Sequence, residues 1–371
     1  MEILARAHEL EREGRSIVHM EIGEPDFPTP QPICAAGMAA LAKGELFYTA
    51  AQGLPALREA ISGFYRMRYG VDVPASRIIV TTGSSGALLL AVAALVNPGD
   101  RVLVADPGYP CNRHFVRLME GEPVGVAVGA DSNYQLTPEL IEQHWDSRTV
   151  AALAASPSNP TGTLIPTAHL KEMAEFARAR GGTLIVDEIY HGLVYAGDVT
   201  TALALADDVF VINSFSKYFN MTGWRLGWMV VPDRYVTEID KLAQNFYLAA
   251  PTPAQHAALA AFKPETLAIL EARRNEFQAR RDYLVPALRA FGFDIPQTPQ
   301  GAFYIYAGCS RLTQDSVAFA RDLLEQAGVA ITPGIDFGSN APERHVRFAY
   351  TNSLERLQEG VRRIGEFLGK R

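Results

Sequence analysis

The chain has 371 residues, 48% of them hydrophobic, and a formal net charge of -7. That length and apolar content allow one large or two ordinary globular domains around a sizeable core. The acidic balance, with Lys and Arg scattered rather than blocked, excludes a broad basic surface for nucleic acid.

In chain order, "MEILARAHELEREG" reads as an amphipathic charged helix without the apolar region or cleavage site of a secretory signal, so a cytoplasmic location is the expectation. From about Ser76 to Val231, β-rich runs alternate with helical patterns: "RIIVTTG", "RVLVADPGYP", "TVAALAASPSNPTG", "GTLIVDEIY", "DVFVINSFSK" and "RLGWMVV". Continuous apolar strands separated by helices predict an α/β fold, a mostly parallel sheet covered on both faces. Polar residues gather where these strands end, the edge at which open α/β sheets bind ligands. The apolar run Ala87–Val96 has about half the length needed to cross a bilayer, so it predicts a buried helix and no membrane partner. Beyond Pro251 the pattern changes to long charged helices, the short strands "GAFYIYAG" and "HVRFAYT", and a last helix from Ser353 to Gly369. This predicts a large unit, residues 32–255, and a smaller α+β unit made of 1–31 and 256–371. Cys34, Cys111 and Cys309 lie far apart with no CxxC spacing, which argues for reduced structural thiols.

Nicotinamide, P-loop, zincin and serine-hydrolase signatures are all missing, and the histidines show no ligand spacing, so no metal is expected. Several short motifs remain. In "TTGSSGALLL", Gly83, Ser84 and Ser85 stand between a strand and an apolar helix, fitting either an anion site or plain N-capping by serine. "VDEIY" sets Asp187 and Glu188 at the end of a buried strand, where a carboxylate needs a partner and a structural ion pair is the commoner explanation. "SPSNPTG" alone is an ordinary turn. "SFSKYFNMTGWRLGW" is more specific, because it delivers Lys217 and Arg225 to the ligand edge. A buried lysine amine can react with an aldehyde, and an arginine suits a phosphate. Together they point to a phosphorylated aldehyde such as pyridoxal phosphate.

Residues 214–227 resemble the lysine signature of the class I/II pyridoxal-phosphate-dependent aminotransferases, the aspartate aminotransferase-like fold type I family. "EIGEPDFPTP", "YTAAQGLPALREAI", "TTGSSGAL", "PGYP", "SPSNPTG", "VDEIY" and "HVRFAY" follow in the family's order over nearly the whole chain. The resemblance implies a large cofactor-binding domain with a seven-stranded-type sheet, a small domain closing over the substrate, and pyridoxal 5'-phosphate as cofactor. By the same resemblance Lys217 links to the cofactor aldehyde and carries the substrate α-proton. Asp187 pairs with the ring nitrogen, while Asn159 and Tyr190 bond the ring's phenolic oxygen. Tyr109 stacks on the ring, a place where some relatives carry tryptophan. Ser84, Ser85, Ser214 and Arg225 hold the phosphate, with Tyr48 reaching in from a neighbouring subunit, which implies a homodimer with shared sites. Arg347 grips the substrate carboxylate, assisted by Asn159 and the backbone at Gly23.

The implied activity is amino transfer from an α-amino acid to a 2-oxo acid. Other reactions of the same scaffold, such as β-elimination or decarboxylation, compete with it. A non-catalytic regulator would need a DNA-binding region for which this sequence shows no candidate. No residue matches the arginine that recognises dicarboxylates in aspartate aminotransferases. Neutral or aromatic amino acids are therefore favoured, with Phe27, Tyr109 and "NFYLAAP" as pocket walls.

Overall fold

The computed structural model describes residues 2–369. Among them, seven strands build the main sheet: β1 (Ile78–Thr81), β2 (Arg101–Asp106), β3 (Glu122–Ala127), β4 (Thr149–Ala155), β5 (Thr183–Asp187), β6 (Phe210–Ser214) and β7 (Gly227–Val230). Their spatial order is β1-β7-β6-β5-β4-β2-β3. Only β7 runs antiparallel to its neighbours; the remaining pairs are parallel. Alternate residues feed two cores. Ile79, Val102, Val104, Ile185 and Ile212 pack on the side of the helix Gly83–Leu95. Val80, Leu103, Leu184, Val186 and Val211 join the core on the other face. Burial on both faces is why these strands read as unbroken apolar runs. The edge strand β3 escapes that pattern: Pro123 and Gly125 interrupt it, and of its residues only Val126 is fully buried. An edge position tolerates proline because one row of N–H groups has no ladder partner.

The C-terminal part carries the helix Pro264–Ala290 and a three-stranded antiparallel sheet, β8 (Tyr304–Gly308), β9 (Thr332–Pro333) and β10 (His345–Ala349), in the order β9-β10-β8. The N-terminal segment joins this part, since Val18–His19 pairs in parallel with Val329–Ala330. Arg280, buried in the long helix, bonds both carboxylate oxygens of Asp26 at 2.7 and 3.0 Å and so ties down the loop that follows. Phe27 packs edge-on against Phe277, with the Arg280 guanidinium 4.9 Å from its ring. The expected limit at residue 255 falls inside the helix Thr252–Ala258, which packs on the helix Gln31–Lys43. We propose that the smaller unit begins after that helix and includes the segment before Gln31. Between the two parts, Asp106 at the end of β2 accepts from the Ser339 amide and hydroxyl at 2.9 and 2.8 Å and from the Asn340 amide at 3.2 Å. Beyond the end of β4, Asn159 meets Arg347 of the small sheet.

Candidate active site

Lys217 stands three residues beyond the end of β6, in the connection to β7. Its side chain is half-buried and its Nζ donates to the Gly23 carbonyl at 2.6 Å. Burial pushes the amine down to about 8; Glu24 opposes that shift, Arg347 and Arg225 add to it, and Asp187 opposes it. A lysine in this range presents a large neutral fraction at mildly alkaline pH, as attack on an aldehyde requires.

On the same connection Arg225 adopts the left-handed conformation, with φ 53°. This turn lays its guanidinium against Gly83, where an added Cβ would come within 2.7 Å of Nη2. Gly83 itself has φ +74° and opens the helix Gly83–Leu95, whose N-cap Thr82 makes no side-chain capping bond. N-capping by serine is thus not what the motif does: Ser84 and Ser85 lie inside the first helical turn and are half-buried. β7 passes so close that a Cβ on Gly227 would sit 2.6 Å from the Gly83 carbonyl carbon and 2.8 Å from the Ser84 nitrogen. Uncapped amides at a helix start, two hydroxyls and an arginine form a cradle suited to a phosphate. Ser214 is engaged otherwise: its buried Oγ donates to the Leu226 carbonyl at 3.2 Å and accepts from the Ser216 amide at 3.0 Å.

Asp187 ends β5 and is buried. Burial pushes its carboxyl up to about 6, against the Ile189 amide, which donates to Oδ1 at 3.1 Å, and the charge of Lys217. A cationic ring nitrogen beside it would remove this penalty, so the carboxylate fits the cofactor that the lysine and phosphate cradle call for. Tyr109 precedes the helix Pro110–Leu118 and is half-buried; burial raises its phenol, Cys111 adds to that, and the charges of Asp187 and Tyr304 reach it as well. Tyr190 is buried and shares a hydrogen bond with the Tyr304 hydroxyl at 3.0 Å.

Glu188 points elsewhere. Its Oε1 accepts from the Thr201 hydroxyl at 3.0 Å and the Ala202 amide at 2.7 Å, and Oε2 lies 3.4 Å from His191 Nδ1. Burial pushes Glu188 up to about 8 and His191 down to about 3, so for each group it favours the uncharged form.

Arg347 comes from β10, opposite Tyr306 on one side and Thr332 on the other. Its Nη1 donates to Asn159 Oδ1 at 3.0 Å, and its Nη2 donates to the Glu21 carbonyl at 2.5 Å and to Thr332 Oγ1 at 3.3 Å. The guanidinium lies 4.3 Å from the Tyr304 ring and 4.8 Å from that of Phe337. Its buried Nε has no hydrogen-bond partner among the described residues, an open donor of the kind a carboxylate satisfies.

Sequence reasoning missed Tyr304. Its hydroxyl bonds Tyr190, its ring lies under Arg347, and it fills the space a Cβ at Gly23 would need. The alternation in "GAFYIYAG" puts Tyr304 and Tyr306 on one face of a strand, but nothing in it says that the face looks into the cleft. Arg113 was missed as well; it lines a cleft with Tyr109, Gln135 and Ser158. One predicted residue stands apart: Tyr48 is 81% exposed, beside Phe47 at 77%. Phe246 and Leu248 of "NFYLAAP" are exposed too, and Thr252, just past that segment, donates to the Phe47 carbonyl at 2.8 Å.

Residues 15–364 match the family described as aminotransferase class I and II. The chain is 40% identical to a valine–pyruvate aminotransferase of Mycobacterium tuberculosis over 99% of its own length and 95% of that protein. It is 33% identical to an aspartate aminotransferase of Thermotoga maritima over 100% of its length and 96% of the other. A crystal structure of an aminotransferase from Mycobacterium tuberculosis superposes with a TM-score of 0.97 at 39% identity, covering 100% of this chain and 96% of that one.

Proposed function

From the premise that the chain belongs to the class I and II aminotransferases, enzymes dependent on pyridoxal 5'-phosphate, we propose how its residues divide the work and which donors it takes. The activity is transfer of an amino group from an α-amino acid to a 2-oxo acid in two half-reactions. Pyridoxal phosphate, when bound, supplies an aldehyde to receive the nitrogen and a ring to withdraw electrons from the substrate Cα.

The chain supplies the rest. Lys217 would hold the cofactor through Nζ, and the same amine would be the base that takes the proton from the substrate Cα. Its lowered pKa supports both tasks. Asp187 keeps the ring nitrogen protonated. Asn159 and Tyr190 bond the phenolic oxygen, and Tyr109 covers the ring. Arg225, Ser84, Ser85 and the uncapped amides of the helix Gly83–Leu95 hold the phosphate, together with Ser214 once its hydroxyl turns from Leu226. Arg347 takes the substrate carboxylate on its open donor, and Asn159, already bonded to it, and Gly23 position the pair. The observation that carries this reading is the placement of Lys217, bonded to Gly23 and under the charges of Arg347, Arg225 and Asp187 at once.

Tyr48 belongs to a second copy's site. Its exposure, with that of Met38, Leu41 and Phe47, supports a homodimer sharing active sites. For the donor we favour a neutral or aromatic amino acid, because the two cations that bear most on Lys217, Arg347 and Arg225, already have partners in the substrate carboxylate and the phosphate. Arg113 beside Tyr109 favours a second reading, an acidic donor.

A donor panel with pyruvate and 2-oxoglutarate as acceptors tests both. Rapid turnover of valine or aromatic donors is expected; preference for aspartate, lost in Arg113→Met, would favour the second reading. Lys217→Ala is expected to lose the visible absorbance of the bound cofactor and to lower turnover by about 100-fold or more. Unchanged spectrum and turnover would refute the assignment.

A further inference from the structure

A second cluster of chemistry-bearing side chains lies outside the cleft. His8 and Glu11 stand three residues apart on the helix Glu2–Arg12, hence on one face of it, and that face meets His19 on the strand Val18–His19. One ligand atom from each of the three lies within 4.8 Å of the others. His19 Nε2 and Glu11 Oε1 are 3.0 Å apart, and the His8 and His19 rings are tilted at a centroid distance of 5.8 Å.

The other ring nitrogen of His19 is fixed from behind, with Nδ1 2.7 Å from Glu21 Oε1. Glu21 is 8% exposed and its Oε2 has no partner among the described residues, so a buried carboxylate is committed to this one imidazole. When Nδ1–H donates to Glu21, the lone pair of Nε2 faces Glu11 Oε1. Two acceptors at that separation need a cation between them, either a proton or a metal ion. A carboxylate behind the distal nitrogen of a histidine is the arrangement that fixes tautomer and ring orientation in metal sites. Zinc takes imidazole nitrogen at about 2.0–2.1 Å and carboxylate oxygen at about 2.0–2.2 Å, with water completing a tetrahedron. A tetrahedral ion would hold the Glu11 oxygen and the His19 nitrogen about 3.4 Å apart, a small opening of the 3.0 Å observed, and His8 is an exposed side chain on the same helix face. Positions 8, 11 and 19 join a helix to a strand and match no fixed ligand spacing, which is why no motif marks them.

We propose that His8, Glu11 and His19 form a binding site for Zn²⁺ or a divalent transition ion of similar preference, with Glu21 holding His19 in the ligating orientation. Such an ion pins the N-terminal helix to the segment whose Glu21 carbonyl accepts from Arg347.

The test uses tag-free holoenzyme, titrated with ZnCl₂ by calorimetry and with Co²⁺ by visible spectroscopy. Expected are one equivalent of Zn²⁺ bound and the intense visible bands of tetrahedral Co²⁺. His8→Ala and Glu11→Gln should weaken binding by about tenfold or more while leaving metal-free amino transfer unchanged, and Glu21→Gln should weaken it by about 10–100-fold. Affinity weaker than about 100 µM, or wild-type affinity retained in both His8→Ala and Glu11→Gln, would overturn the proposal and leave a proton as the only cation at this place.

Discussion

Two of the shifted side chains give pH dependences that can be read separately. Lys217 has its pKa depressed from 10.5 to about 8, mainly by burial. Only the neutral amine attacks an aldehyde, so the rate at which apoenzyme takes up pyridoxal phosphate should rise through a midpoint near 8 and level off above it. Stopped-flow absorbance across the range reads this directly; a midpoint near 10.5, that of a free lysine, would show that burial does not tune the amine. Glu188 behaves in the opposite sense. Its folded pKa, about 8, lies above the ordinary 4.5, so the folded state keeps a proton that the unfolded chain has released between those values. The stabilisation is fully present below pH 4.5 and is lost as pH rises through about 8. Glu188→Gln keeps the acceptor for Thr201 and Ala202 but cannot titrate. The melting temperature of wild type minus that of the variant should therefore fall from acid to mild alkali, and a constant difference would contradict the assignment.

Among the elements, the contact of β7 with the start of the helix Gly83–Leu95 decides whether the phosphate cradle exists. A methyl group at Gly227 would meet only main chain, at 2.6 Å from the Gly83 carbon, 2.8 Å from the Ser84 nitrogen and 2.9 Å from the Asn213 oxygen. Backbone cannot rotate away as a side chain can. Gly227→Ala is expected to cost about 1–3 kcal/mol, and to weaken cofactor binding more than an alanine elsewhere in the strand. Denaturant titration and a cofactor binding curve check the two effects, and unchanged affinity would show that the cradle does not need this fit. This scale also shows what was readable in advance. Six of the seven strands were legible because burial on both faces leaves apolar runs, and the interrupted edge strand Glu122–Ala127 was not. Lys217, Arg225 and Asp187 could be singled out from the sequence because strand ends point at one edge of a parallel sheet. Tyr304, Arg113 and the Asp106 clamp on Ser339 were not, because each depends on how the small sheet or a neighbouring helix is turned against the large one. No local pattern carries that orientation.

For the whole molecule, Met38, Leu41, Phe47 and Tyr48 are exposed on neighbouring stretches of sequence, which favours the proposed dimer. Phe47→Asp should shift sedimentation toward the single chain and loosen pyridoxal phosphate, because Tyr48 would no longer be delivered to the other copy. A variant that sediments as wild type with unchanged cofactor affinity would count against the shared site. The pairing of Val18–His19 with Val329–Ala330 has a further bearing, on order in time. The last strand of the main sheet ends at Val230, whereas Val329, the partner of Val18, comes 99 residues later and Arg347 later still. At translation rates of about 5–20 residues per second, the half of the site that takes the cofactor emerges seconds before the half that grips the substrate. Through that interval Ile17, Val18 and Met20, all buried in the finished protein, have no strand to join. The nascent chain is therefore expected to need shelter at its own beginning until its final quarter has been made.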